Sequence, residues 1–319
     1  MNVLITGGTG SLGKTLVKLL LPRINVDRIV IYSRDELKQW EMQKNFNDPK
    51  LRYFIGDVRD LSRLDRAMKG IDVVIHTAAM KQVPACEYQP FEAVKTNIIG
   101  AQNVIDTSIS NEVARVIALS TDKAVDPVNH YGATKKTAEG LFIAGNVCGN
   151  KKTIFSNVRY GNVLASRGSV VQLFKEQAET GRITITDPRM TRFWWTLDEA
   201  ANFVLDCLLF MKGGETFAPK IKASSLLDLA ACVAPQAKYE TIGIRPGEKL
   251  HEILISPHEV EKTYNLYWGA YAVYPEFPFF SFPDYNRDNP VLLEFKYTSD
   301  AEEFVMTKEE LNTLIKKVL

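Results

Sequence analysis

The sequence has almost no net charge: 39 Lys and Arg residues face 38 Asp and Glu residues, a formal balance of +1. That excludes the broad basic field by which a protein gathers nucleic acid, so any phosphate must be met by local groups. Cysteine is scarce. The four present, Cys86, Cys148, Cys207 and Cys232, are far apart and never spaced CxxC, which argues against a zinc site or a disulfide scaffold. They are expected as reduced thiols, mostly buried, and no metal is expected. No apolar run reaches bilayer length, and the first strand, Asn2 to Ile5, begins beside Met1. Neither a membrane segment nor a leader is therefore expected, and the expected address is cytoplasmic. Repeats and low-complexity tracts are also missing. With 45% hydrophobic and 24% charged residues, the chain has the composition of an ordinary globular protein.

What is present is an alternation. Short apolar runs, Val3-Leu4-Ile5, Arg28 to Tyr32, Leu51 to Ile55, Val73 to His76 and Val116 to Leu119, are separated by amphipathic stretches such as Lys14 to Leu21 and Ala93 to Ser108. Near-continuous apolar strands between helices predict an α/β fold, a doubly wound parallel sheet of the Rossmann type covered on both faces. Phe155 to Arg159 should extend the sheet, and Thr216-Phe217 should return to it. At 319 residues, a second, smaller unit is expected. The reading is a nucleotide-binding domain over residues 1–165 with a return near 196–220, and a discontinuous substrate lobe over 166–195 and 221–290. A C-terminal segment, 291–319, should end in a helix opened by a capping box from Thr307 and Glu310. Trp194 and Trp195 read as lobe packing.

Thr6-Gly7-Gly8-Thr9-Gly10-Ser11-Leu12-Gly13 lies between the first strand and the first helix. Glycines there permit a tight turn and a close backbone approach to a pyrophosphate, whose charge meets the amides of the helix N-terminus. Gly7, Thr9, Gly10, Ser11, Leu12 and Gly13 are thus candidate dinucleotide contacts. After the second strand come Ser33 and Arg34, with Lys38 one turn on. Basic residues at this point accommodate a 2'-phosphate and favour NADP over NAD; the alternative is that Asp35 takes the ribose. Asp57, before Val58, reads either as an acceptor for the adenine amino group or as a helix cap. Ala78 and Ala79 offer small residues beside the cofactor, and Lys81 is a weaker candidate for substrate or cofactor contact.

The fifth strand ends in Ser120-Thr121-Asp122-Lys123, followed by Tyr131-Gly132-Ala133-Thr134-Lys135. A tyrosine and a lysine at i and i+4 share a helical face, so the Lys135 ammonium could stabilise a Tyr131 phenolate that serves as base toward a sugar hydroxyl. Thr121 stands at the strand end where ligands of such sheets bind. Oxidation alone needs no further acid and base, yet Asp122 and Lys123 occupy the same strand end. Loss of water does need such a pair.

TGGTGSLG, SRDELK, GDVRD, HTAA, KTN, STDK, YGATK, RYGNV, SRGSV, MTRFW and RPGEK occur in this order. The set resembles the soluble UDP-N-acetylglucosamine 4,6-dehydratases that invert carbon 5, extended short-chain dehydrogenases that supply the first intermediate toward pseudaminic acid. The likeness covers roughly residues 1–260. It implies that Thr121 and Tyr131 handle the carbon 4 hydroxyl with Lys135 in support, that Asp122 is the acid for the carbon 6 hydroxyl, and that Lys123 is the base at carbon 5. For a UDP-sugar, cations and amides come from Arg159 to Val163 and from Ser166 to Val171, among them Arg167, Gly168, Ser169 and Val170. The resemblance assigns Asn162, Arg192 and Arg245 to the diphosphate and ribose, with Glu248 near the ribose. It also implies a homo-oligomer, dimer or hexamer. Three rival readings are a nucleotide-sugar 4-epimerase, which does not need Asp122 and Lys123 as acid and base, a retaining dehydratase, and a non-catalytic NADP-binding regulator. Tyr131 and the Thr-Asp-Lys run fit the soluble inverting type best.

Overall fold

Strands β1 (Asn2–Thr6) and β4 (Val73–His76) are buried almost throughout, because helices cover the sheet on both sides. With β2 (Arg28–Ser33), β3 (Leu51–Ile55), β5 (Arg115–Leu119) and β6 (Ile154–Val158) they run parallel in the order β3-β2-β1-β4-β5-β6. This is the doubly wound Rossmann order. Alternate side chains feed two cores: Val3, Ile5, Ile31 and Ile117 pack with Leu16 and Val204, while Leu4, Val30, Val74 and Val116 pack with Leu64, Val104 and Phe142. The computed structural model describes residues 1–148, 152–164, 168–276, 283–285 and 287–318. No helix among them is long and apolar enough to cross a membrane. Of the four cysteines, Cys86 and Cys207 are buried and Cys148 is exposed.

The strand expected to return late does so: Thr216–Pro219 pairs in parallel with β6. The sheet then continues where a lobe is expected. Ala270–Val273 pairs antiparallel with Thr216–Pro219, and Thr263–Leu266 antiparallel with Ala270–Val273. Gly269, at φ +91, closes the tight turn of this hairpin. Ala270 and Ala272 are fully buried in the sheet core, so part of the segment 221–290 belongs to the nucleotide-binding sheet.

The lobe has its own small sheet, Asn162–Val163, Thr191–Trp195 and Ala223–Ser225, and a core in which helices Val170–Ala178 and Leu226–Val233 meet the C-terminal helix Lys308–Lys316. That last helix opens on the expected capping box, Thr307 and Glu310 exchanging side-chain and backbone bonds. Its Leu311, Leu314 and Ile315 complete the lobe core, so the C-terminal segment is a structural part of the lobe. Trp194 and Trp195 are buried in two different cores.

Candidate active site

A cavity of about 560 Å3 lies at the carboxyl ends of the parallel strands, where ligands of such sheets bind. Gly7, Thr9, Gly10, Ser11, Leu12 and Gly13 line one stretch. Gly7 holds φ +66, and a Cβ on it would stand 2.9 Å from the Ala78 amide nitrogen, so glycine alone brings this turn against the end of β4. Helix α1 (Ser11–Leu20) starts at Gly10 with no side-chain cap, and the positive end of its dipole faces the cavity, where it favours an anion. These features fit a dinucleotide pyrophosphate.

Further along, the cavity meets Ser33, Arg34, Lys38, Asp57, Val58, Ala78, Ala79 and Lys81. The Ser33 hydroxyl accepts from Gln39. Arg34 is 62% exposed, with its guanidinium 3.7 Å from Asp57. Asp35, the alternative ribose ligand, caps α2 (Glu36–Asn45) and pairs with Lys38. Asp57 is not a helix cap: Asp60 caps α3 (Leu61–Met68). Asp57 instead accepts from Arg59 Nε and Nη2, at 2.9 and 2.7 Å. Arg59, within GDVRD, is therefore a neighbour of this end that motif reading passes over.

The catalytic candidates converge at the end of β5. Thr121 caps a 3-10 turn, Asp122–Ala124, and the helix His130–Cys148 brings Tyr131 beside it. Gly132 makes that approach possible, since a Cβ there would lie 2.0 Å from the Lys123 carbonyl oxygen. Asn97 ties the helix to the loop after β4, donating to Met80 O and Thr134 Oγ1 and accepting from Met80 N. It lies in a short π-helical stretch, Val94–Ile99, a distortion common at functional sites. Burial pushes the Tyr131 phenol up, Asp122 and Cys86 add to this, and only a hydrogen bond with Thr121 opposes it. Lys135, expected to favour the phenolate, is buried one turn further along the same helix. Burial brings Lys135 itself down to about 8, against the pull of Glu139 one turn on. Lys135 is buried and does not line the cavity.

Asp122 is 1% exposed. Its Oδ1 accepts from Thr121 Oγ1 and from Lys123 Nζ, each at 3.0 Å, and its Oδ2 is buried with no hydrogen-bond partner. Burial raises Asp122 toward its protonated form, Glu252 adds to that, and Lys123 and Thr121 oppose it. Lys123 is pulled down by burial, but the carboxylates of Asp122 and Glu252 outweigh this and hold it up. A lysine lowered for base work is therefore not the state seen here. Asp122 contributes most to this, and Glu252, a buried carboxylate 3.2 Å from Lys123 Nζ, adds to it. No motif or spacing marks Glu252, which reaches the site from just ahead of the lobe strand Ile253–Ile255.

The arginines expected around a diphosphate are placed differently. Arg159 is fully buried and held by both oxygens of Glu139 and of Glu259, at 2.7 to 2.9 Å. Arg192 is buried too, donating to the carbonyls of Thr191, Lys249 and Leu250. It does not line the cavity, and neither do Arg245, which is exposed, nor Glu248. Those two sit on a turn whose Gly247 carbonyl accepts from Asn129. Local sequence reads an arginine as a cation but gives no account of which acceptors the folded chain brings to it. Asn162, Gly168, Ser169 and Val170 do line the cavity; Arg167 lies outside the described residues.

A profile of polysaccharide biosynthesis proteins matches residues 3–271. The chain belongs to this family. A Campylobacter jejuni protein named UDP-N-acetylglucosamine 4,6-dehydratase (inverting) is 50% identical to it, over 98% of this chain and 97% of that one. A Rickettsia akari protein named UDP-glucose 4-epimerase is 44% identical, over 86% of this chain and 82% of its own length. Among solved structures, Pen from Bacillus thuringiensis superposes with a TM-score of 0.91 at 39% identity, covering 100% of this chain and 98% of that one. The dTDP-glucose 4,6-dehydratase DesIV from Streptomyces venezuelae shares the fold, with a TM-score of 0.70 at 21% identity, covering 78% of this chain and 87% of that one.

Proposed function

We propose that this family member is an NADP-dependent UDP-N-acetylglucosamine 4,6-dehydratase that inverts carbon 5. The observation that carries the reading is the pair Asp122 and Lys123, joined at 3.0 Å beside Tyr131 in one cavity, since an epimerase has no use for this second acid and base. The relative at 50% identity bears the corresponding name. Arg34 and Lys38 at the cavity rim support the 2'-phosphate, although DesIV, which shares only the fold, is a complex with NAD.

NADP held by the Gly7–Gly13 turn with Arg34 and Lys38 would supply a hydride acceptor for carbon 4 and a hydride donor for carbon 6. Tyr131 takes the proton of the carbon 4 hydroxyl, with Thr121 as its hydrogen-bond partner. Lys123 removes the carbon 5 proton, now acidified by the neighbouring ketone. Asp122 delivers a proton to the carbon 6 hydroxyl, which leaves as water. In the productive form one proton of the Asp122–Lys123 pair sits on the acid and the amine is free. Transfer along their hydrogen bond converts the ion pair into that form. A proton then returns to carbon 5 on the face opposite its departure.

An NMR time course with UDP-N-acetylglucosamine in deuterated water tests the reading. The expected product is the 4-keto-6-deoxy sugar with inverted carbon 5 and deuterium at that carbon. Formation of UDP-N-acetylgalactosamine would make the protein an epimerase, and a retained carbon 5 would remove the inverting assignment. Protein purified without added cofactor should release NADP on denaturation; release of NAD alone would refute the reading of Arg34 and Lys38.

A further inference from the structure

Among the cavities, charged clusters and buried groups outside the roles given above, Glu252 is the most unusual. It is 2% exposed, and its Oε1 lies 3.2 Å from Lys123 Nζ and 3.6 Å from Arg192 Nε, while its Oε2 is buried with no hydrogen-bond partner among the described residues. The backbone at this point is fixed, since Glu252 N donates to Ser299 Oγ and Ser299 N donates to Glu252 O, both at 2.9 Å. Lys123 comes from the end of β5 and Glu252 from the lobe, so their ion pair spans the two parts of the molecule across the acid–base site.

Two carboxylates thus flank one lysine, and their surroundings differ. Arg192 stands on the Glu252 side, and Lys249 adds a third positive charge near it. Among the described residues Asp122 has Lys123 as its only cationic hydrogen-bond partner, and its other acceptor contact is a neutral hydroxyl. Like charges in a buried site do not both persist, so the better-compensated carboxylate keeps the charge and the other keeps the proton. Burial opposes ionisation of both, yet Lys123 and Arg192 hold Glu252 low, whereas Asp122 is held up.

Resting on the dehydratase reading, we propose that Glu252 is a positioning residue of the elimination step: it pins the Lys123 amine beside the Asp122 carboxyl and, by its own fixed negative charge, reserves Asp122 for the part of the acid. Glu252 does not line the cavity, so it acts through Lys123 and Asp122 and not on the sugar.

The test compares native holoenzyme, Glu252→Gln and Glu252→Asp with UDP-N-acetylglucosamine. Readouts are the pH profile of dehydration and the single-turnover absorbance of reduced nicotinamide. Loss of the Glu252 charge should let both Asp122 and Lys123 give up their protons more readily, so both limbs of the bell-shaped profile in Glu252→Gln should move to lower pH by about one unit or more. Oxidation at carbon 4 should survive while elimination slows at least about tenfold, so reduced cofactor accumulates. Glu252→Asp should return the limbs toward their native positions. Native limbs and native elimination in Glu252→Gln would overturn the inference. So would equal loss of oxidation and elimination, which is the mark of a merely structural residue. If Glu252→Gln does not fold, limbs in Glu252→Asp shifted as far as a neutral residue requires would equally overturn it. Absence of dehydration by the native enzyme would instead overturn the parent reading, and this inference with it.

Discussion

Two buried charge clusters join the nucleotide-binding sheet to the lobe, and they are built to opposite ends. In the first, Arg159, just after β6, is gripped by Glu139 and Glu259 and also donates to Leu254 O. Every guanidinium nitrogen has an acceptor, so the desolvated charge is compensated in full. In the second, Asp122, Lys123 and Glu252 also form an ion cluster, but Asp122 Oδ2 and Glu252 Oε2 are left with no partner. Unsatisfied buried oxygens are costly. A satisfied cluster holds two parts together; an unsatisfied one, at the edge of a cavity, is poised to exchange protons.

That contrast can be broken by mutation. The largest effect expected is from Arg159→Met, which leaves two buried carboxylates with only the half-exposed Lys136 as a cation and should lower stability by about 3–5 kcal/mol, measured by urea unfolding. A loss below about 1 kcal/mol would show that the first cluster does not hold the lobe. Next is Lys123→Ala, which should reduce dehydration on the order of a hundredfold or more and abolish deuterium incorporation at carbon 5 while leaving UDP-sugar binding in place. It should destabilise less than Arg159→Met, because Asp122 already tends to its neutral form. Near-native turnover would remove Lys123 as the base.

The smallest and most discriminating effect is in acid. Burial would raise Glu259, but Arg159 outweighs it and holds the carboxyl well below its ordinary 4.5. A carboxyl depressed on folding lends stability above its unfolded value, and that contribution is lost as pH falls below about 4.5 toward the folded value. Asp122, raised by burial above its ordinary 3.8, has the opposite sign: acidification from its raised value down to about 3.8 favours the fold. Glu259→Gln should therefore flatten the loss of stability below about pH 4.5, and Asp122→Asn should leave the acid limb unchanged or steepen it above about pH 3.8. Equal slopes for both variants in urea titrations would erase the distinction between the clusters.

Much of this was legible before any coordinates. β1, the glycine turn and α1 follow from an apolar run meeting Gly7 and Gly10, because few backbones satisfy both. The capping box at Thr307 and Glu310 is a local device and appears where the residues predict it. The hairpin Thr263–Val273 was less legible, since short strands flanking Trp268 and Gly269 carry no sign of which sheet they will join. Arg159 and Arg192 stand away from the cavity lining, which their local sequence does not show, for the same reason. A guanidinium's role depends on its acceptors, and those come from Glu139 and Glu259, or from the carbonyls around Leu250.

By itself, then, the sequence determined the periodic elements, the glycine turn and the run Thr121-Asp122-Lys123 with Tyr131, all set by contacts within a few residues or by the strict period of a buried strand. Only the tertiary structure decided how those groups are charged. Glu252 comes to Lys123 from the lobe, Lys135 is buried in the interior, and burial sets the direction in which Tyr131 and Asp122 move. Charge acts through space in a poorly screened interior, and which charges share that interior is fixed by packing between segments remote in the chain.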